Sequence, residues 1–251
     1  MRKKSFWLLL VAIVMMGFSI NVYAEDNVYY TTKNGIELSE EEYKFLTKFY
    51  GTPYVDIMTQ DQYNEFVEDD LLHSDLRIKT VTPQTTALVN PGNMQRGTSY
   101  YEAGRTLQIG AACLPTKCIM SIVTTWDIDP SITSWDDIGA WLYNVDLKSY
   151  SHTYLSTSNT TSYFTNWKVE SDGIGNTVYL PEDGTNMIIN MGFTVSRGGT
   201  VYGSYQHAME DTTFSASQSY TLDFAGYANV HLFSGSAIGV YDQAGGVYID
   251  V

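Results

Sequence analysis

The sequence predicts a mainly β protein: an antiparallel β-sandwich, jelly-roll or immunoglobulin-like in its wiring, preceded by a short N-terminal helical hairpin. Three observations predict this fold class. Apolar residues recur with helical spacing before residue 76 and mostly with a spacing of two after it. The later segments are short, and polar or glycine-containing connections separate them. No helical pattern lies between them, which argues against a parallel α/β sheet.

Residues 1–24 have the pattern of a secretory signal peptide. Basic residues at positions 2–4 precede an apolar run, and Val22-Tyr23-Ala24 supplies a small-residue cleavage site. The apolar run is shorter than the ~20 residues that a spanning helix needs. We therefore expect cleavage after Ala24, export to the cell exterior and a soluble product without a stable membrane span.

The expected mature chain is strongly acidic. Loss of the three basic leader residues reduces the 14 Lys and Arg to 11, against 28 Asp and Glu, so the net charge becomes −17. Such a charge repels phosphate backbones and anionic lipid surfaces, which argues against nucleic acid as a partner. Neutral glycans, proteins and cations remain as partners.

Residues 25–75 predict an acidic helical hairpin. The first helix is expected at about 40–50, where Ser39 and Glu42 form a capping box and Gly51 provides the stop signal. Tyr43, Leu46 and Tyr50 lie on one stripe of this helix.

The second helix of the hairpin is expected to begin after Thr59, with Gln62 at the box position. The segment 52–54, TPY, is expected to break the chain between the two helices.

Residues 76–251 predict the sandwich domain. Its clearest strand lies at 187–195, with alternate apolar residues on one face, namely Met187, Ile189, Met191, Phe193 and Val195. The turn SRGG should return the segment 200–208 antiparallel to that strand. Further strands are expected at 76–82, 105–112, 118–126, 137–145, 176–180, 219–224, 229–233 and 245–251.

The two cysteines, Cys113 and Cys118, enclose a Pro-Thr turn signal. Export implies an oxidising compartment, so we expect a disulfide that closes a tight hairpin. A redox or nucleophilic cysteine is the alternative, but no CxxC motif accompanies the pair.

The segment 124–137, TTWDIDPSITSWDD, concentrates carboxylates and tryptophans. Asp127 and Asp129 occupy the first and third positions of a calcium loop, and Asp136 adds another carboxylate. An EF-hand is excluded because Ile132 stands where Gly is needed and Ile138 where Glu is needed. We expect a structural loop between two antiparallel core strands. No cofactor is predicted, and an irregular calcium site is the alternative.

Aromatic residues outside the clean strand patterns are the candidate binding residues, because sugar faces and protein partners both use such rings. They are Tyr100, Tyr101, Trp135, Tyr163 and Trp167. The alternative interpretation is structural, namely that most of these residues fill the core or pack at a sheet edge.

Two other function classes remain open. A carbohydrate-active hydrolase would need two facing carboxylates, and no local motif selects them among the 28 acids. No G-x-S-x-G or H-E-x-x-H motif is present. A pore-forming protein would use the Ser/Thr-rich segment 150–166, whose alternation is irregular; a polar loop or edge strand is the simpler reading.

The spacing W-x-x-x-P-x-x-x-S-x-D-x-I-G, here from Trp126 to Gly139, resembles a segment of secreted proteins of gut Gram-positive bacteria. The segments KNGIELSEEEYKFL and GTVYGSYQHA are similar to the same group. The resemblance spans most of the mature chain. The resemblance implies no activity, and no catalytic residue of this chain can be assigned from it.

The sequence therefore predicts a secreted, non-catalytic binding or surface-interaction protein. It should recognise a glycan or a protein through loop aromatics, and an enzymatic role is the less favoured reading.

Overall fold

The computed structural model describes residues 28–81, 106–126, 134–158, 161–180, 186–208, 221–223, 229–231 and 241–251. The predicted leader, Tyr100, Tyr101, Asp127 and Asp129 lie outside these ranges. Within them the chain is mainly β, and every strand pair is antiparallel, which confirms the predicted class. No helix in the described part is long and apolar enough to cross a membrane.

The N-terminal part contains three short helices where two were expected. A small sheet of β1 (Tyr30–Thr31) and β2 (Glu37–Leu38) precedes α1 (Glu40–Tyr50), α2 (Thr52–Ile57), α3 (Gln60–Glu68) and a 3₁₀ turn (Leu71–His73). Both predicted capping boxes are present, at Ser39 and at Thr59. The predicted break at 52–54 instead begins α2, because Pro53 occupies the first turn, where a missing N–H costs nothing.

Most of the later strands form two large sheets. The strands are β3 (Asp75–Val81), β4 (Thr106–Cys113), β5 (Lys117–Trp126), β6 (Ser134–Tyr143), β7 (Leu147–Ser156), β8 (Thr161–Tyr163), β9 (Trp167–Glu170), β10 (Gly173–Leu180), β11 (Met187–Ser196), β12 (Thr200–Ala208), β13 (Thr221–Asp223), β14 (Asn229–His231) and β15 (Tyr241–Asp250). The six-stranded sheet has the order β3-β4-β5-β11-β7-β8, and the five-stranded sheet has the order β15-β12-β6-β10-β9. The strands β13 and β14 form a separate two-stranded sheet.

One hydrophobic cluster joins the two large sheets. It includes Ile109 and Ile122 of the six-stranded sheet together with Ile138, Val201 and Val247 of the five-stranded sheet. The predicted apolar face of β11 belongs entirely to this cluster, as expected from its alternation. The choice between jelly-roll and immunoglobulin-like wiring stays a prediction.

The opposite face of the six-stranded sheet is buried under the helices. A second hydrophobic cluster contains Leu46, Phe49 and Val55 of the helical segment with Ala112 of β4 and Tyr154 of β7. The helical segment therefore covers the face of the six-stranded sheet that points away from the five-stranded sheet.

One strand-pairing prediction was wrong: the segment 200–208 does not return beside β11, because β12 pairs with β6 and β15 in the other sheet. The prediction of a polar loop or edge strand at 150–166 holds in part. β8 is the outermost strand of the six-stranded sheet, but β7 lies between β11 and β8 and its residues 152–156 are buried. The strands β5 and β6, on either side of residues 127–133, belong to different sheets.

Cys113 and Cys118 form the predicted disulfide, which bridges directly opposed residues of the β4–β5 hairpin. Replacing both by Ala should lower the free energy of unfolding by about 2 kcal/mol, because the bridge restricts a short loop in the unfolded chain. Urea denaturation measures this change. Wild-type protein with its disulfide reduced should unfold at nearly the same urea midpoint as the double alanine variant. A double variant as stable as the oxidised wild type would contradict the expectation.

Candidate binding surface

The sequence-predicted binding residues do not form one site within the described part of the chain. Trp135 has its backbone in β6 and not in a loop. Tyr163, on β8, is 51% exposed, and its ring lies near Tyr154. Trp167, on β9, packs against the core and lies 4.8 Å from Tyr150 between ring centroids.

A row of aromatic side chains instead crosses the outward face of the five-stranded sheet. Trp141 of β6 is directly opposite Tyr202 of β12, and Tyr202 is directly opposite Tyr248 of β15. The ring centroids are 4.8 Å apart for the first pair and 5.5 Å apart for the second. We call these three residues the aromatic row.

Strand alternation explains why the aromatic row faces outward. Leu142, Val201 and Val247, each adjacent in sequence to a row residue, point into the core between the sheets. Side chains alternate between the two faces of a strand, so the row residues must lie on the other face. Tyr248 is 46% exposed, and Trp141 and Tyr202 are partly exposed.

Residues at both ends and beside the row extend this surface. Tyr143, 49% exposed, lies next to Trp141 with 5.5 Å between ring centroids. Gly173 of β10 is directly opposite Trp141, adds no side chain and is itself buried. At the other end, the Lys79 ammonium lies 4.1 Å above the centre of the Tyr248 ring, a cation–π contact.

Hydrogen-bonding groups lie in the adjacent cross-strand row. Thr200 is opposite both Tyr143 and Asp250. Its hydroxyl donates to the Asp250 carboxylate at 2.8 Å. The surface thus combines flat apolar rings with polar groups beside them, which is the composition of a site that both stacks on a ligand and orients it.

Two buried carboxylates lie near the other end of β6. Asp136 shares the inner face with Ile138 and accepts a hydrogen bond from the Tyr205 hydroxyl. Asp137 lies on the opposite face, where its carboxyl accepts a hydrogen bond from Thr177 at 2.6 Å. Burial raises the pKa of Asp137 to about 8, while the Thr177 bond opposes that rise.

These two acids do not form a hydrolytic pair, because consecutive strand residues point to opposite faces and cannot flank one sugar. The calcium hypothesis is not tested by Asp136 alone, since Asp127 and Asp129 lie outside the described residues. Within those residues, no group of three or more His, Cys, Asp or Glu side chains could hold a metal ion.

A buried polar network joins the helices to the six-stranded sheet. The Nε2 atom of His152 lies 2.6 Å from Oδ1 of Asn190, which accepts, so Nε2 carries the hydrogen. The Asn190 amide donates to the Tyr50 carbonyl at 3.0 Å and to the Ser121 hydroxyl at 2.9 Å. Burial lowers the pKa of His152 to about 4, although the Asn190 bond opposes that shift. His152 is therefore neutral at neutral pH.

No protein-family model and no curated protein matches the chain. Among solved structures, the KRT10-binding region domain of the pneumococcal serine-rich repeat protein PsrP is similar, with a TM-score of 0.36 and 12% identity over 55% of this chain and 88% of that one. ACE19, the collagen-binding subdomain of the Enterococcus faecalis surface protein ACE, has a TM-score of 0.26 and 9% identity over 50% and 84%.

The pilus backbone RrgB from Streptococcus pneumoniae has a TM-score of 0.29 and 8% identity over 71% of this chain and 79% of its own. All three TM-scores are below 0.5, so the ligand of this chain does not follow from these similarities.

The aromatic row was not identified from the sequence, although the signal for it was partly present. The segments around all three residues were predicted as strands, and alternation alone assigns each ring to a polar face. Only the pairing of β6 with β12 and of β12 with β15 brings the rings together.

Proposed function

We propose that this chain is a binding protein of the cell exterior that recognises a neutral glycan on the aromatic row. The observation that carries the proposal is the alignment of Trp141, Tyr202 and Tyr248 at directly opposed positions on three neighbouring strands. Partly exposed rings in such a row offer flat apolar faces to the C–H faces of sugar rings, while hydroxyl and carboxylate groups nearby bond sugar hydroxyls.

The dimensions of the aromatic row fit a short oligosaccharide. Neighbouring strands lie about 4.8 Å apart, so three strands present rings over about 10 Å. A ligand lying across the strands would contact Tyr202 at the centre and Trp141 and Tyr248 at the ends. The sheet backbone holds all three rings, so little ordering is needed on binding.

The charge of the chain supports a neutral ligand, and its disulfide supports a location at the cell exterior. The expected mature charge of −17 disfavours anionic glycans and favours neutral ones. The Cys113–Cys118 disulfide supports an oxidising compartment, as expected for a secreted protein.

Glycan-array binding tests the proposal. Wild-type protein should bind neutral glycans, and Trp141→Ala or Tyr202→Ala should weaken the affinity for the best of them about tenfold or more, as expected for a central aromatic contact. Tyr163→Ala is the matched control, because Tyr163 is 51% exposed but lies on β8 of the other sheet. Thermal unfolding of each variant should stay close to wild type, since a cross-strand pair contributes only about 0.2–1 kcal/mol.

Wild-type protein that binds no glycan, or a loss of binding in Tyr163→Ala equal to that in Tyr202→Ala, would overturn the proposal.

A further inference from the structure

A cavity of about 390 Å³ lies between the helical segment and the six-stranded sheet, whereas the aromatic row lies on the five-stranded sheet. Its volume is within the range of small-molecule sites. Aromatic and aliphatic side chains supply its apolar lining, namely Tyr50, Tyr54, Met58, Phe66, Leu71 and Ile119. The rings of Tyr50 and Tyr54 are 4.8 Å apart between centroids and continue to the buried His152.

The α3 side of the cavity is acidic. Glu65, Glu68 and Asp69 line it at the C-terminal end of α3, where unpaired carbonyl groups already produce a negative potential. The last turn of α3 contains no basic residue that would compensate. Charges of this sign at this end of a helix are unfavourable for the helix itself, so helix stability does not account for them.

The two lysines that line the cavity are each paired with an aspartate, not with Glu65 or Glu68. Lys117 contacts both carboxylate oxygens of Asp69, at 2.7 and 2.8 Å. Lys148 lies 3.4 Å from Asp146. Among the described residues, no ion pair involves Glu65 or Glu68, and both are exposed at the cavity rim.

The acidic side chains act on the aromatic lining. Burial raises the pKa of the Tyr50 hydroxyl well above its ordinary value, and the charges of Glu65 and Asp69 raise it further. Glu65 is therefore near enough to influence a charge placed over the Tyr50 ring, whereas Asp69 is already paired with Lys117. They are not grouped as a metal site, since the described residues hold no such cluster.

From this geometry we propose that the cavity binds an organic ammonium carried on an apolar body. The ammonium group lies against Glu65 and Glu68 and over the Tyr50 ring, where ionic and cation–π attraction act together. The apolar body fills the space between Phe66, Met58 and Ile119. The acidic surface of the whole chain raises the local concentration of such a cation.

Titration of ¹⁵N-labelled protein with phenethylamine tests this site, with 2-phenylethanol as the neutral analogue of nearly equal shape. The amine should shift amide resonances of α3 and of the β5 and β11 residues that line the cavity. It should bind about tenfold more tightly than the alcohol. Glu65→Gln/Glu68→Gln should weaken amine binding about fivefold and leave alcohol binding unchanged.

Glu41→Gln is the matched control, because Glu41 is exposed on α1 and does not line the cavity. Trp141→Ala should retain amine binding, which separates this site from the aromatic row. Equal affinity for amine and alcohol, unchanged amine binding in the double glutamine variant, or shifts confined to other residues would each overturn the proposal.

Discussion

Gly192→Ala is expected to reduce the free energy of unfolding by about 3 kcal/mol, the upper end of the usual cost of overpacking a core. Gly192 lies on β11 beneath the helical segment, and its backbone conformation needs no glycine. A methyl group there would lie 2.3 Å from Cε1 of His152, 2.8 Å from Nδ1 of the same ring and 2.8 Å from the Ser151 hydroxyl.

Moving the His152 ring out of the way would cost free energy. The ring is hydrogen-bonded to Asn190 and stacks on Tyr54 with 4.4 Å between ring centroids. Displacing the ring would leave the Asn190 oxygen buried without its donor, which adds to the steric cost. The methyl group therefore forces either a backbone shift of β7 or the loss of this network.

Urea denaturation of Gly192→Ala measures the effect, with Gly203→Ala as the matched control. Gly203 is also a buried strand glycine, but its added methyl group would meet the terminal carbon of Ile122 at 3.1 Å, and that carbon can rotate. The control should lose clearly less stability. A Gly192→Ala variant within 1 kcal/mol of wild type would show that the His152 ring does not pack over Gly192 as described.

The second large effect that we expect is on the pH dependence of the free energy of unfolding. His152 is neutral in the folded protein down to a pKa of about 4, whereas it titrates near 6.5 when unfolded. The unfolded chain thus binds the extra proton between these values, and His152 makes stability fall as pH falls from 6.5 to 4. The full loss is about 3 kcal/mol.

Asp137 acts in the opposite direction over the same interval. Its folded pKa of about 8 lies above the ordinary value of 3.8, so the folded protein binds the extra proton. The stability from this proton is complete below pH 3.8 and is lost as pH rises to about 8. The two contributions should nearly cancel between pH 4 and 6.5 in the wild type.

Two substitutions should reveal the two contributions separately. Asp137→Asn leaves the His152 contribution, so the variant should lose about 3 kcal/mol relative to wild type as pH falls from 6.5 to 4. His152→Gln leaves the Asp137 contribution, so its stability should fall by a similar amount as pH rises over that interval. Denaturation at a series of pH values measures both. Parallel stability curves for all three proteins would contradict the burial of these groups.

Local sequence signals predicted the local structure well. The capping boxes at Ser39 and Thr59, the apolar face of β11 and the hairpin disulfide depend on neighbouring residues and were correct. The α2 helix was missed because Pro53 was treated as a break, although proline is favoured in a first helical turn.

Features that depend on long-range pairing could not be predicted. The SRGG turn suggested a hairpin, but residues 200–208 cross to the other sheet, where they contact β6 from far earlier in the chain. Asn190 of β11 donates a hydrogen bond to the carbonyl of Tyr50, which is 140 residues away and ends α1, so no local pattern could indicate this contact. The aromatic row could not be predicted for the same reason, since its residues lie on three different strands and are brought together only by the strand pairing and its register.

The most direct test of glycan recognition by the aromatic row is a titration of ¹⁵N-labelled protein with a neutral oligosaccharide, following the indole N–H resonance of Trp141. A Trp141→Phe variant assigns that resonance among the four tryptophans of the expected mature chain, since Trp7 lies in the predicted leader. We expect this resonance to shift in a saturable manner, together with the backbone amides of Tyr202 and Tyr248, and Tyr202→Ala to weaken the affinity about tenfold. Saturable binding with no change at Trp141, Tyr202 or Tyr248 would contradict glycan recognition by the aromatic row.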